Sequence, residues 1–128
     1  MTEDPRPPQA TVFFCHGSRD PDWRKPFESL AADYRRRFPA QQVRLAFLEL
    51  MSPALPDVLA ELAGAGTAAV RVVPLFLATG AHTRRDLPAL VAQSCKEWPS
   101  LRVEVAPPLL ESEALRAAVV DALQAGTI

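Results

Sequence analysis

The sequence predicts an α/β fold: a flavodoxin-like three-layer domain with four parallel strands in the order 2-1-3-4. Three observations lead there. Strand-like apolar runs alternate four times with segments of helical periodicity, the signature of consecutive βα units. The first run, Ala10 to Cys15 (ATVFFC), is apolar throughout, as a strand buried on both faces should be. The chain has 128 residues, a size that suits one hydrophobic core. Right-handed crossovers then leave few ways to order four strands.

Taken in order, the first strand is broken by His16-Gly17-Ser18. Trp23, Phe27, Leu30, Ala31, Tyr34 and Phe38 follow at spacings that trace one helical face. Arg35, Arg36 and Arg37 fall mostly off that stripe, near the helix end, where cations suit the dipole; Pro39 stops the helix. Val43 to Leu48 is expected as strand 2, ending at Glu49. Ser52-Pro53 reads as cap then first-turn proline of a helix with Val58, Leu59 and Leu62 on its apolar face, closed by Gly64 and Gly66. Ala69 to Leu77 is expected as strand 3, with Pro74 at or near its end because it has no N–H for the ladder. Thr79 to His82 reads as a loop, and Asp86 as the cap of a helix carrying Leu87, Leu90, Val91 and Cys95. Arg102 to Val105 is a short fourth strand and Pro107-Pro108 a turn. Ser112 then caps a last helix with Leu115, Ala118, Val119, Ala122 and Leu123 on one face. Residues 1–9 read as a flexible leader, and 10–128 as a single domain.

Composition excludes several classes. With 48% hydrophobic and 23% charged residues the chain is an ordinary globular one. No apolar run is long enough to span a membrane, and Met1 to Gln9 has no apolar core of a signal peptide, so a cytoplasmic location is expected. The net charge of −1 argues against nucleic-acid binding through bulk positive charge, yet leaves room for a local basic cluster facing a small polyanion. Two cysteines, Cys15 and Cys95, without CxxC spacing, read as buried free thiols. Glycine-rich phosphate loops are absent, Ser18 lacks the context of a nucleophile elbow, and Cys15 has no evident catalytic partner.

Chemistry should lie at the carboxyl ends of the strands, beside the point where strand order reverses. Strands 1 and 3 flank that point. His16 follows strand 1 at once, His82 lies a few residues beyond strand 3, and Glu49 ends strand 2. These are the only two histidines, 66 residues apart, so only the sheet can bring them to one rim. Taken singly each is as easily a solvated loop residue, Glu49 a helix cap, and Arg84 and Arg85 surface charges beside Asp86. Taken together, two imidazoles and a carboxylate suit a divalent first-row ion such as Co²⁺, Fe²⁺, Ni²⁺ or Zn²⁺, with coordination positions left open.

Three segments carry a resemblance. FFCHGSRDP (Phe13 to Pro21), AFLELMSPALPDVL (Ala46 to Leu59) and VVPLFLATGAHTRRDLP (Val72 to Pro88) look like the signature stretches of the short CbiX-type chelatases, colinear and at matching separations. The resemblance implies a chelatase-like α/β domain acting as a homodimer. It implies ATP-independent insertion of a divalent metal, Co²⁺ by preference, into sirohydrochlorin in cobalamin biosynthesis. Fe²⁺ and Ni²⁺ insertion, or a binding protein without turnover, stay open as alternatives. The family's metal-handling histidines match His16 and His82, and the glutamate of its FLE stretch matches Glu49, as catalytic residues and metal ligands. On the substrate side, position suggests Phe76, Leu77 and Ala78 as an apolar wall for the macrocycle. Ser18, Arg19, Arg84 and Arg85 would meet its carboxylates, the arginines in bidentate fashion. No resident cofactor is expected; the metal is substrate. Many relatives carry a histidine where this chain reads Leu110-Glu111-Ser112.

Overall fold

The computed structural model describes residues 8–128. Four parallel strands, β1 (Ala10–Cys15), β2 (Gln42–Phe47), β3 (Ala69–Pro74) and β4 (Arg102–Val105), form one sheet in the order β2-β1-β3-β4. The sheet matches the expected topology. β1 is central and wholly buried, paired in register with β2 (Phe14 opposite Ala46) and with β3 (Phe14 opposite Pro74).

Four helices accompany it: α1 (Lys25–Arg37), α2 (Leu55–Gly64), α3 (Ala81–Glu97) and α4 (Glu113–Ala125). The alternation of side chains along the strands splits the core in two. Val12, Phe14, Val70 and Val72 pack with Leu55, Leu59 and Leu62 of α2 and with Leu87 and Val91 of α3. Phe13, Cys15, Val43 and Phe47 pack on the other face with Ala31 of α1. No helix among the described residues is long and apolar enough to cross a membrane.

Several expected boundaries shift, each for a visible reason. Pro8 and Gln9 are tied to the strands, not free. The Gln9 N–H donates to the Ala69 carbonyl, its side-chain oxygen accepts from the Ala68 N–H, and Gln41 donates to the Pro8 carbonyl. The rest of the expected leader, residues 1–7, lies outside the described residues. α1 is preceded by a 3-10 turn, Pro21–Arg24, and of its six-residue stripe only Ala31 is buried, with Trp23, Leu30 and Phe38 exposed. Ser52 does not cap α2. The Ser52–Pro53 peptide is cis, and the Pro53 carbonyl accepts from Phe47 N–H at 2.8 Å, so the chain returns at Pro53 and Ala54 to the end of β2. The first-turn proline of α2 is Pro56, not Pro53.

β3 ends at Pro74, shorter than expected. Leu75 N–H still donates to the Phe14 carbonyl, but Phe76 and Leu77 leave the ladder. α3 begins at Ala81, so His82 lies in a helical first turn instead of a loop, and Asp86 is interior, not a cap. The Arg84 N–H bond to the Gly80 carbonyl closes that turn. Pro88 sits inside the helix on its exposed side and leaves the Arg84 carbonyl without its usual donor. Ser112 does cap α4, accepting from Leu115 N–H, and Gly126 ends it in the left-handed conformation. Yet α4 buries no residue.

Candidate metal-handling site

The site begins with the strand exits. Cys15 carbonyl accepts from Leu48 N–H at 2.8 Å, and Phe14 carbonyl accepts from Leu75 N–H at 2.8 Å. The segments leaving β2 and β3 are thereby stitched to the end of β1, and His16 is the next residue. Its Nδ1 lies 3.2 Å from Glu49 Oε1, and the same oxygen accepts from Gly17 N–H at 3.0 Å. A carboxylate only accepts, so Nδ1 is the donor of this bond, and in the neutral ring Nε2 keeps its lone pair. The ring rests on Phe76, centroids 4.4 Å apart and planes 35° apart. The His16 carbonyl takes a 2.7 Å bond from the Trp23 indole. Although His16 is exposed, three contacts fix its position.

Gly17 is required by close approach. A Cβ there would lie 1.7 Å from the Glu49 carbonyl oxygen. Only a residue without a side chain lets the β1 and β2 loops pass this closely.

His82 is built differently. It projects from the first turn of α3, exposed, with Nδ1 3.3 Å from the Arg85 guanidinium. Guanidinium only donates, so here Nδ1 accepts and Nε2 carries the proton. His82 and Asp86, one helical turn apart, line a cavity of about 190 Å³ with Phe14, Leu48, Thr83, Leu87 and Leu90. A neighbouring apolar hollow of about 130 Å³, between α3 and the end of β4, includes Arg84, Thr83, Pro74 and Val105.

The predicted residues therefore separate into two groups on one rim. His16 and Glu49 are in contact, with Phe76 beneath them; His82 sits with Arg85. Among the described residues no three His, Cys, Asp or Glu side chains are grouped so as to hold a metal ion, so the expected trio is not assembled as one ligand set within this chain. Phe76 is buried and serves as the shelf of His16, whereas Leu77 and Ala78 are open to solvent. Ser18 is turned to its own loop, its hydroxyl accepting from Asp20 N–H. Arg19 is exposed. Cys15 is buried and its thiol is pushed up to about 12 by desolvation, which removes it from thiolate chemistry. Cys95 is half-buried against the α2–α3 core.

Three contributors escaped the sequence reading. Trp23 was assigned to a helical stripe, but its indole N–H is spent on the site. Gly17 passed as a strand breaker, although the need for a bare Cα depends on where the β2 loop runs. Asp86 was assigned to a cap because the helix start was misplaced; its i,i+4 relation to His82 was the available signal.

The open parallel sheet, with two histidines and a carboxylate on its switch-point rim, has the architecture of the chelatase-type α/β domains among solved structures. Solved structures support that class. A CbiX protein from Marinobacter aquaeolei superposes with a TM-score of 0.80 at 30% identity, covering 94% of this chain and 98% of that one. A sirohydrochlorin chelatase, SirB from Bacillus subtilis, solved with cobalt, superposes with a TM-score of 0.75 at 26% identity, covering 91% of this chain and 50% of that one. The CbiX family pattern matches residues 10–125, and the chain belongs to the CbiX family. Among curated relatives, a sirohydrochlorin cobaltochelatase from Methanopyrus kandleri is 35% identical over 89 residues, 70% of this chain. One from Saccharolobus islandicus is 40% identical over 80 residues, 62% of this chain. The chain spans 62% and 61% of the length of these two relatives.

Proposed function

We propose that this chain inserts a divalent metal, Co²⁺ by preference, into sirohydrochlorin, without ATP and without a resident cofactor, in the cytoplasm and as a homodimer. The observation that carries the reading is the His16 imidazole, held by Glu49 with its Nε2 lone pair open on the rim of a CbiX-family domain. Insertion requires the macrocycle to lose two pyrrole protons while the ion sheds water. An unprotonated Nε2 can accept such a proton or hold the ion. Glu49, engaged with Nδ1 and Gly17, fits an orienting and proton-relaying role better than that of a direct ligand. His82 presents an N–H when Arg85 is in place and becomes a ligand only when that tautomer changes.

The substrate would lie across the rim, with Leu77 against the ring and Arg84, Arg85 and Arg19 toward its carboxylates. A large planar ring needs a wide cleft, which two copies provide more readily than one small domain. The chain's likeness to half the length of SirB agrees with that arrangement. Cobalt is preferred because the curated relatives are named as cobaltochelatases; His and Glu donors also accept Fe²⁺ and Ni²⁺.

Initial rates of Co²⁺ insertion into sirohydrochlorin, measured anaerobically against the spontaneous reaction, test the reading. Acceleration by the intact chain, with most of it lost in His16→Ala and in His82→Ala, is expected. Stoichiometric binding of the ring with no gain in rate would overturn it in favour of a carrier.

A further inference from the structure

The two histidines of the rim are served unequally. His16 has a carboxylate, Glu49, on its Nδ1, and so keeps the lone pair of its other nitrogen for the rim. His82 has a cation there instead. The Arg85 guanidinium, 3.3 Å away, donates to Nδ1 and leaves the proton on Nε2, where an ion or a pyrrole proton would need a lone pair. Imidazoles that ligate metals almost always donate their second ring N–H to a carboxylate, a carbonyl or a water. One carboxylate is placed to receive it. Asp86 follows His82 by four residues on one face of α3, and a side chain at that position leans back over the turn that carries the histidine. Both residues line the cavity of about 190 Å³, whose other walls include Phe14, Leu48, Leu87 and Leu90. Apolar walls limit the water that would compete for such a bond. Asp86 is exposed, caps no helix and makes no side-chain hydrogen bond or ion pair among the described residues.

We infer that Asp86 is the positioning residue of His82, and that Arg85 withholds the histidine from it until an anionic group of the substrate arrives. When that group draws the guanidinium off Nδ1, the ring turns this nitrogen to Asp86. Nε2 gives a proton to water and Nδ1 takes one from water, so the charge of the ring is unchanged while its lone pair moves from Nδ1 to Nε2. Asp86 then does for His82 what Glu49 does for His16, and both rings offer an Nε2 lone pair. This role rests on the metal-insertion reading proposed above and adds the group that makes His82 competent. It also gives the order of events: an empty rim offers an ion one ring, and a rim that has engaged a carboxylate-bearing macrocycle offers two.

Long-range proton–nitrogen NMR of the full chain, labelled in histidine, reads the tautomer of each ring and is the test. With two histidines in the sequence, His82→Gln assigns both sets of signals. Spectra are recorded on the alkaline plateau of the ring signals, where both rings are neutral. The parent chain should show His16 protonated at Nδ1 and His82 at Nε2. Arg85→Ala should convert His82 mainly to the Nδ1–H form. Arg85→Ala/Asp86→Asn should lose that conversion, because an amide donates as well as accepts. Asp86→Asn alone should insert Co²⁺ about tenfold more slowly with an unchanged KM for sirohydrochlorin. His82 already protonated at Nδ1 in the parent chain overturns the hold by Arg85. His82 still protonated at Nε2 in Arg85→Ala, or a conversion that survives Asp86→Asn, overturns the role of Asp86, as does an Asp86→Asn rate within about twofold of the parent. A parent chain that shows the tautomer exchange but does not accelerate insertion overturns the metal-insertion reading and leaves the pairing of Asp86 with His82 standing.

Discussion

Replacing Glu49 by glutamine isolates what the carboxylate does for His16. Glu49 Oε1 accepts two bonds, from Gly17 N–H and from His16 Nδ1, with both side chains about half exposed. Bonds of this kind are worth about 0.5–1.5 kcal/mol net, and solvent screening puts the imidazole contact near the lower end, about 0.5 kcal/mol. Glutamine keeps an oxygen for Gly17, so folding should be little affected, with less than about 1 kcal/mol lost in urea unfolding. It no longer enforces Nδ1 protonation, because its amide can donate as well as accept. A population of His16 with Nε2 protonated then has no lone pair to offer the rim. Loss of an orienting partner behind an imidazole typically costs 10–100-fold, and about 1.4 kcal/mol corresponds to tenfold. We expect Glu49→Gln to insert Co²⁺ about tenfold more slowly. Glu49→Ala should be slower still and less stable, because Gly17 N–H loses its acceptor. An insertion rate for Glu49→Gln within about twofold of the parent, at unchanged stability, would refute the orienting role.

Two further perturbations follow from the same geometry. Gly17→Ala must displace either the Glu49 carbonyl or its own loop, and should cost roughly 2–4 kcal/mol in denaturant unfolding, together with most of the insertion rate. Alkylation by iodoacetamide at pH 8 should modify Cys95 and leave Cys15 intact in the folded chain, read by mass spectrometry. The Cys15 thiol, raised from 9.0 to about 12, remains protonated in the fold while an unfolded chain would already ionise. Its contribution to stability is therefore complete below about pH 9 and is lost as pH rises toward 12. A denaturation midpoint that does not fall over that window would contradict it.

The topology was readable because β1 declares itself: a run with no polar face can only be central. The rim placement of His16 and Glu49 followed from that alone. What the sequence hid depends on contacts across loops. Asp86 looked like a helix cap because the pattern of residue types cannot see that Arg84 and Gly80 already close a turn upstream. The stripe on α1 looked like core because periodicity does not reveal that β1 and β2 need only Ala31, Phe27 and Tyr34 from it, leaving Trp23 to bind a carbonyl instead. Opposite tautomers for two histidines on one rim are likewise invisible until Glu49 and Arg85 are placed beside them.

The three contacts on His16 also bear on when ordering is charged to the system. A surface imidazole ordinarily samples several rotamers and two tautomers, and a ligand that needs one of each must bear the entropy of selecting it. Here the Phe76 shelf and the Glu49 bond favour one placement of the ring during folding, while the Trp23 bond holds the backbone beneath it. Encounter with a macrocycle or an ion then begins from an ordered ring, and more of the free energy of contact is available for desolvating the ion rather than for arranging the protein.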